Sequence, residues 1–297
     1  MALINTLSKF YFPFDVYNDK SRFQYISTQG RCGFYDSFEK KFISSEVFQE
    51  FLNQISPKKG YEIEGDHLIL EKTKNRIRKN ISFSIKRPVE TYNSTFLKYI
   101  SNRFLRSKES LTMENAILFV DIVGSTNLSL KLSSEEMSTI IRTFSQEMSI
   151  LISKHGGFVL KYAGDAVIGY FPNTSDINTT CENAVRCAKS MHLLISKIFN
   201  DVMQEFGLSP IEIRAGIEYG EDSIVFFGTD GDLIGSTITT SSKIYPLADP
   251  SHTAIGHKAY ENLDKDCTNQ FILIKNKEQN IFIDPVTNKP YECYVSK

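Results

Sequence analysis

Residues 116–121 read AILFVD, and residues 158–171 read FVLKYAGDAVIGYF. The first is a continuous apolar run stopping at Asp121, the pattern of a central strand covered on both faces. The second is two short segments about a Gly164-Asp165 turn, which reads as a hairpin. Between them, Ser133 and Glu136 form a capping-box pattern. Met137, Ile140, Ile141, Phe144, Met148, Leu151 and Ile152 then follow a helical period, and Gly156-Gly157 closes that helix. A second helix is predicted over about 176–206, with Ala184, Val185, Ala188, Met191, Ile195, Ile198, Val202 and Phe206 on its buried face. Residues 211–217 (IEIRAGI) read as a further strand. Strand, helix, hairpin, helix, strand is the split βαβ order, so the expected fold is α+β with a ferredoxin-like βαββαβ sheet.

The whole chain has 297 residues, 41% of them apolar and 23% charged, with no tryptophan. That composition excludes wholesale disorder and leaves room for one large domain or two ordinary ones. No apolar run reaches the roughly 18 residues of a membrane helix, and the N-terminus lacks a secretory pattern, so a cytoplasmic protein is expected. Five cysteines (Cys32, Cys181, Cys187, Cys267, Cys293) form no CxxC pair, which suggests neither a zinc site nor a disulfide framework.

The net charge of −1 hides an uneven distribution. Residues 1–110 carry 19 basic against 12 acidic side chains, and residues 111–297 carry 15 against 23. Within 72–108, 11 basic residues face only Glu90. The expected organisation is a small N-terminal α/β module over 1–71, a basic linker or helix over 72–110, and a C-terminal domain over 111–297. The basic stretch reads as a solvated linker and helix, and leaves a nucleic acid or an acidic membrane surface open as a partner. Phe96, Leu97, Ile100 and Phe104 suggest that its end is a packed helix. Within the module, residues 44–55 have a helical apolar face. Residues 61–72 (YEIE-GD-HLILEK) read as a hairpin about Gly65-Asp66, so that helix and hairpin together suggest a winged-helix-like or sensing module. His67 reads as a surface or packing residue.

Chemistry enters through Asp121 and Asp165, which a βαββαβ sheet brings to one edge. Close carboxylates repel, and hard divalent cations relieve that repulsion. Gly124, Ser125 and Thr126 follow Asp121 and lead into a helix, where backbone N–H groups can hold phosphate oxygens. Metal carboxylates beside such a turn point to two-metal phosphoryl chemistry on a nucleoside triphosphate.

The segments FVDIVGST (119–126) and LKYAGDAVIGYF (160–171) resemble the signature segments of class III nucleotidyl cyclases, the adenylyl and guanylyl cyclases. RAGIEYG (214–220), DLIGS (232–236) and ADPSHTAIGHKAYENL (248–263) extend the resemblance over roughly 114–265. It implies a class III cyclase domain acting as a homodimer with active sites at the interface. It implies two divalent cations, Mg²⁺ or Mn²⁺, held by Asp121, Asp165 and the backbone carbonyl of Ile122. By the same resemblance Lys161 and Asp232 read the base. Lys donates to adenine N1 and Asp accepts from the exocyclic amine, whereas guanine-reading members carry Glu at the Lys position, so ATP is the expected substrate. Thr239 and Lys243 stand where the family commonly has Asn and Arg. Lys243 keeps the positive charge that stabilises the transferred phosphoryl group but loses the planar fork, and Thr239 offers the ribose one hydroxyl.

The implied reaction is attack of the ribose 3′ hydroxyl on the α-phosphorus, yielding 3′,5′-cyclic AMP and pyrophosphate for intracellular signalling. Lys289 is the candidate for a distal lysine on the leaving group. Arg214 reads as a packing residue or a surface salt bridge. The alternatives are a cyclase-like nucleotide-binding domain with weak or no turnover, and a cyclase using another nucleoside triphosphate, pyrimidines included. A diguanylate-type site is disfavoured because the turn is AGDAV rather than GG[DE]EF.

Overall fold

The computed structural model describes residues 22–28, 31–37, 40–46, 61–63, 67–84, 92–108, 110–174, 176–274 and 288–297, with 48, 49, 53, 57, 58 and 283. The chain divides into two compact units, 1–59 and 60–297.

In the first unit, strands β1 (Phe23–Thr28), β2 (Arg31–Asp36) and β3 (Lys41–Ser44) form an antiparallel sheet in that order. Phe48 is buried against Phe23 and Phe34, with ring centroids 5.6 and 4.6 Å away. A buried bidentate pair, Arg22 to Asp36 at 2.8 Å, joins the approach to β1 with the end of β2. The helix expected over 44–55 lies partly outside the described residues.

The hairpin expected over 61–72 is corrected. From His67 the chain is helical, as α1 (His67–Ser84). Thr73, Ile77 and Ile81 recur every fourth residue and are buried, so period four and not period two organises the segment. Helix α2 (Tyr92–Arg106) follows, burying Phe96, Leu97, Ile100 and Phe104 within this unit. Among the described residues of the basic stretch, several side chains are engaged inside the chain. Arg76 pairs with the wholly buried Glu147, Arg78 with Glu205, and Lys74 with Asp201 and Glu205.

The core of the second unit follows the expected order. Strand β4 (Thr112–Ile122) leads to a short α3 (Ser125–Lys131) and to α4 (Ser134–Lys154), opened by the Ser133/Glu136 capping box. The hairpin β5 (Phe158–Ala163) and β6 (Ala166–Pro172) comes next. Helix α5 (Ile177–Leu194) starts at an Asp176 cap and runs through a π turn (Ile195–Phe199) into α6 (Asn200–Glu205). The long strand β7 (Ile213–Phe227) pairs antiparallel with β4, and β8 (Asp230–Gly235) folds back on its far half. The spatial order β7-β4-β6-β5, antiparallel throughout, is the ferredoxin-like sheet. Ala116, Ile117, Leu118 and Val120 are completely buried, which explains the unbroken apolar run.

Beyond β7 come α7 (Ser236–Ile244), β9 (Thr253–Gly256), α8 (His257–Glu261), α9 (Lys265–Thr268), β10 (Phe271–Leu273) and β11 (Cys293–Ser296). Strand β9 joins β7 in parallel and extends the sheet through β11 to β10. Cys181, Cys187, Cys267 and Cys293 are buried free thiols. Among the described residues no helix is long and apolar enough to cross a membrane.

Candidate active site

Asp121 is the penultimate residue of β4, held where the central strand leaves the sheet. Its cross-strand partner on β7 is Arg214, whose Nη2 donates to Asp121 Oδ2 at 3.3 Å. The Val120–Val167 pairing brings the β5–β6 turn, and with it Asp165, to the same end. Burial and the neighbouring Asp165 carboxylate push the Asp121 carboxyl up to about 6, while Arg214 pulls the other way. Asp121 Oδ1 and Asp165 Oδ2 are buried and have no hydrogen-bond donor. Two acceptor oxygens, desolvated and facing one another's charge, are costly as they stand. A hard cation coordinated through oxygen removes that cost, so the donor set fits magnesium or manganese. The Ile122 carbonyl belongs to the same strand end, and the Ile122 side chain is buried.

The chain then turns at Gly124 with φ 68°, a left-handed conformation natural to glycine, and enters α3 at Ser125 and Thr126. First-turn N–H groups of a helix lack intrahelical acceptors, so this turn offers donors near the carboxylates. Arg214 corrects the sequence reading in part: it makes a salt bridge, but with a buried site carboxylate. Its guanidinium carbon also lies 5.2 Å from the Tyr245 ring centroid, and Tyr245 stacks flat on Phe119 at 5.6 Å. Sequence reasoning gave Tyr245 no place here. Only the β4–β7 register could have exposed the Asp121–Arg214 pair.

A second pair lies elsewhere in the domain. Lys161 Nζ meets Asp232 Oδ1 and Oδ2 at 3.0 and 2.7 Å. Lys161 sits just past a bulge in β5, and Asp232 lies within β8, where Oδ1 also accepts from Leu233 N at 2.9 Å. Side chains 71 positions apart in sequence thus present a donor and an acceptor together, both partly open to solvent. Asp121 stands opposite Arg214 on β7, whereas Asp232 stands opposite Val225, eleven positions further along that strand, so the pair and the carboxylates form two centres on one chain.

Thr239 and Lys243 lie one turn apart on α7, and both are exposed. Thr239 Oγ1 donates to the Gly235 carbonyl at 2.8 Å. A residue that sequence reasoning missed fixes this helix: Asp222, wholly buried on β7, accepts at Oδ1 from Thr237 N at 3.1 Å and serves as a cap from outside the helix. A Cβ on Gly235 would fall 2.2 Å from that Oδ1, which explains glycine at the end of the DLIG segment. Lys289 is exposed at a bend before Pro290, and no described contact brings it to the carboxylates.

Comparison with known proteins fits this geometry. The family model for the adenylate and guanylate cyclase catalytic domain matches residues 108–295. A cytidylate cyclase of Staphylococcus aureus is 30% identical over 173 residues, 55% of this chain and 40% of the relative. An adenylate cyclase of Anabaena cylindrica is 29% identical over 195 residues, 58% of this chain and 37% of the relative. The aligned regions therefore span less than half of these relatives. Among solved structures, the adenylyl cyclase CyaB from P. aeruginosa superposes with a TM-score of 0.53 at 24% identity, covering 63% of this chain and 94% of that one. With two donorless carboxylate oxygens at one end of a ferredoxin-like sheet and a family match over most of its second unit, the chain belongs to the adenylate and guanylate cyclase catalytic domain family.

Proposed function

We propose that the chain is a metal-dependent adenylyl cyclase that converts ATP to 3′,5′-cyclic AMP and pyrophosphate as a homodimer in the cytoplasm. The observation that carries the reaction type is the pair of donorless oxygens on Asp121 and Asp165. Two divalent cations, when bound, supply Lewis-acid activation of the ribose 3′ hydroxyl and charge neutralisation on the triphosphate. Asp121, Asp165 and the Ile122 carbonyl would hold them. Arg214, anchored to Asp121, keeps that carboxylate aimed and lowers its proton affinity.

In the reaction the 3′ oxygen forms a bond to the α-phosphorus and loses its proton. The bond from the α-phosphorus to the bridging oxygen breaks, and pyrophosphate departs. Backbone N–H groups at Gly124, Ser125 and Thr126 bind phosphate oxygens. Lys243 places positive charge near the transferred phosphoryl group, and Thr239 donates to the ribose once released from its bond to Gly235. The two centres on each chain are anchored eleven positions apart along β7. This supports a site assembled from the carboxylates of one protomer and the Lys161–Asp232 pair of its partner.

A second reading, CTP as substrate, is favoured by a specific feature of that pair. Cytosine presents a ring-nitrogen acceptor beside an exocyclic amine, the same polarity as adenine. Lys161 and Asp232 therefore select amino bases over the keto bases guanine and uracil. Relatives from Staphylococcus aureus and Escherichia coli carry the name cytidylate cyclase. Equilibrium binding of the four triphosphates in the presence of Ca²⁺ tests this reading. ATP and CTP are expected to bind more tightly than GTP and UTP, and Lys161→Glu to reverse or erase the difference. Equal binding of all four, or a Lys161→Glu variant with unaltered preference, would overturn the assignment.

A further inference from the structure

Strands β5 and β8 carry Lys161 and Asp232, yet no described ladder joins them: β5 pairs with β6, and β8 pairs with β7. The sheet alone therefore leaves the separation of the two side chains weakly set. Helix α2 spans the gap. Its Phe104 stacks on Phe158 of β5 at 4.3 Å, and Ser101 Oγ meets the hydroxyl of Tyr170 on β6 at 3.3 Å. On the other side, Gly231 N donates to Asn102 Oδ1 at 2.9 Å, Asn102 Nδ2 donates to Asp230 Oδ1 at 3.2 Å, and Arg106 reaches the Gly228 carbonyl at 3.0 Å. Gly231 lies so close to the helix that a Cβ there would meet Leu105 at 2.8 Å.

Lys98 completes the bridge. Its ammonium donates to the Leu160 carbonyl and, at 3.2 Å, to the Gly231 carbonyl. Those two residues immediately precede Lys161 and Asp232. We propose that Lys98 is a positioning residue for nucleotide selection, tying the backbones of β5 and β8 together one residue before each member of the base-reading pair. The inference rests on the base-reading role given to Lys161 and Asp232. Burial lowers the pKa of the half-buried ammonium below the usual lysine value, against the charges of Asp230 and Asp232, which favour its protonated form. The ammonium thus adds positive potential beside the carboxylate that must accept from the base.

The test is competition of the four nucleoside triphosphates against an N-methylanthraniloyl-ATP probe with Ca²⁺, on the full chain, for wild type, Lys98→Met and Lys161→Glu. Methionine keeps the aliphatic stem and removes the three donors. Lys98→Met is expected to narrow the preference for amino over keto bases about tenfold, the equivalent of one good hydrogen bond, at unchanged thermal midpoint within a few degrees. A merely structural lysine would lower the midpoint and the active fraction without moving the preference ratio. If Lys161→Glu shifts the ratio and Lys98→Met does not, the Lys98 inference falls and the base-reading assignment stands. If neither shifts it, both fall. Should Lys98→Met not fold, Lys98→Arg, which keeps charge and donors at a longer reach, is expected to show a smaller change in the same ratio, and an unaltered ratio there overturns the inference.

Discussion

Arg76→Met is expected to cost the second unit about 3–5 kcal/mol of stability, although it removes a single residue from a basic stretch that looks like a solvated linker. Arg76 donates from Nε to Glu147 Oε1 at 2.8 Å and from Nη2 to Glu147 Oε2 at 2.5 Å. The Glu147 side chain is 0% exposed, and that of Arg76 is 18% exposed. Removing the guanidinium therefore strands a carboxylate on the buried face of α4, where water cannot replace the lost donors. The assay is urea unfolding followed by far-UV circular dichroism. With a slope of about 3 kcal/mol per molar, the midpoint falls by about 1 M or more. The double variant Arg76→Met/Glu147→Leu is expected to recover most of the loss, because apolar replacement of a whole buried pair is often neutral. Added salt is expected to change little, since screening acts mainly on exposed charges. A single-variant loss under 1 kcal/mol, or a double variant worse than the single, would refute the structural role of this pair.

Three further outcomes follow from named contacts. Gly235→Ala drives a methyl to 2.2 Å from Asp222 Oδ1, so it is expected to cost about 1–3 kcal/mol and to lower turnover by loosening α7, read by thermal melting and steady-state kinetics together. Burial raises the Glu218 carboxyl to about 7, against the bonds it accepts from Tyr291, Tyr219 and Ala259. Between about pH 4.5 and 7 the folded state holds a proton that the unfolded state releases, so stability falls as pH rises, by up to about 3 kcal/mol; Glu218→Gln removes that part of the pH dependence. Thr239→Asn with Lys243→Arg restores the family pattern on α7 and is expected to raise kcat by tenfold or more; an unchanged kcat would mean that this face of α7 does not meet the reacting phosphoryl group.

Much of the catalytic unit was legible because its strands and helices repeat at their own periods. β4 is buried on both faces and therefore reads as an unbroken apolar run, and Ser133 with Glu136 marks the start of α4 at the residue. Residues 61–72 misled because two short runs about Gly65-Asp66, the first of them alternating, imitate a hairpin, while the stripe Thr73, Ile77, Ile81 lies beyond that short window. Glu147 was the overlooked signal for the basic helices, since a carboxylate among apolar helical positions calls for a buried partner. Arg214, Tyr245 and Asp222 were not recoverable as site residues. Their roles depend on strand register and on the packing of α7, which no local spacing encodes. The motifs singled out Lys161 and Asp232, and the 2.7 Å contact between them is a tertiary fact.

The proposed reaction is metal-dependent cyclisation of an amino-base nucleoside triphosphate at Asp121 and Asp165. The most direct measurement incubates the purified chain with Mn²⁺ and each of ATP, CTP, GTP and UTP, resolves the products by mass, and runs Asp121→Asn in parallel. Pyrophosphate with cyclic AMP as the main product is expected, or cyclic CMP if CTP is the substrate, and no product from the variant. No cyclic product from any nucleotide, a keto-base product in excess, or an equally active Asp121→Asn would contradict it.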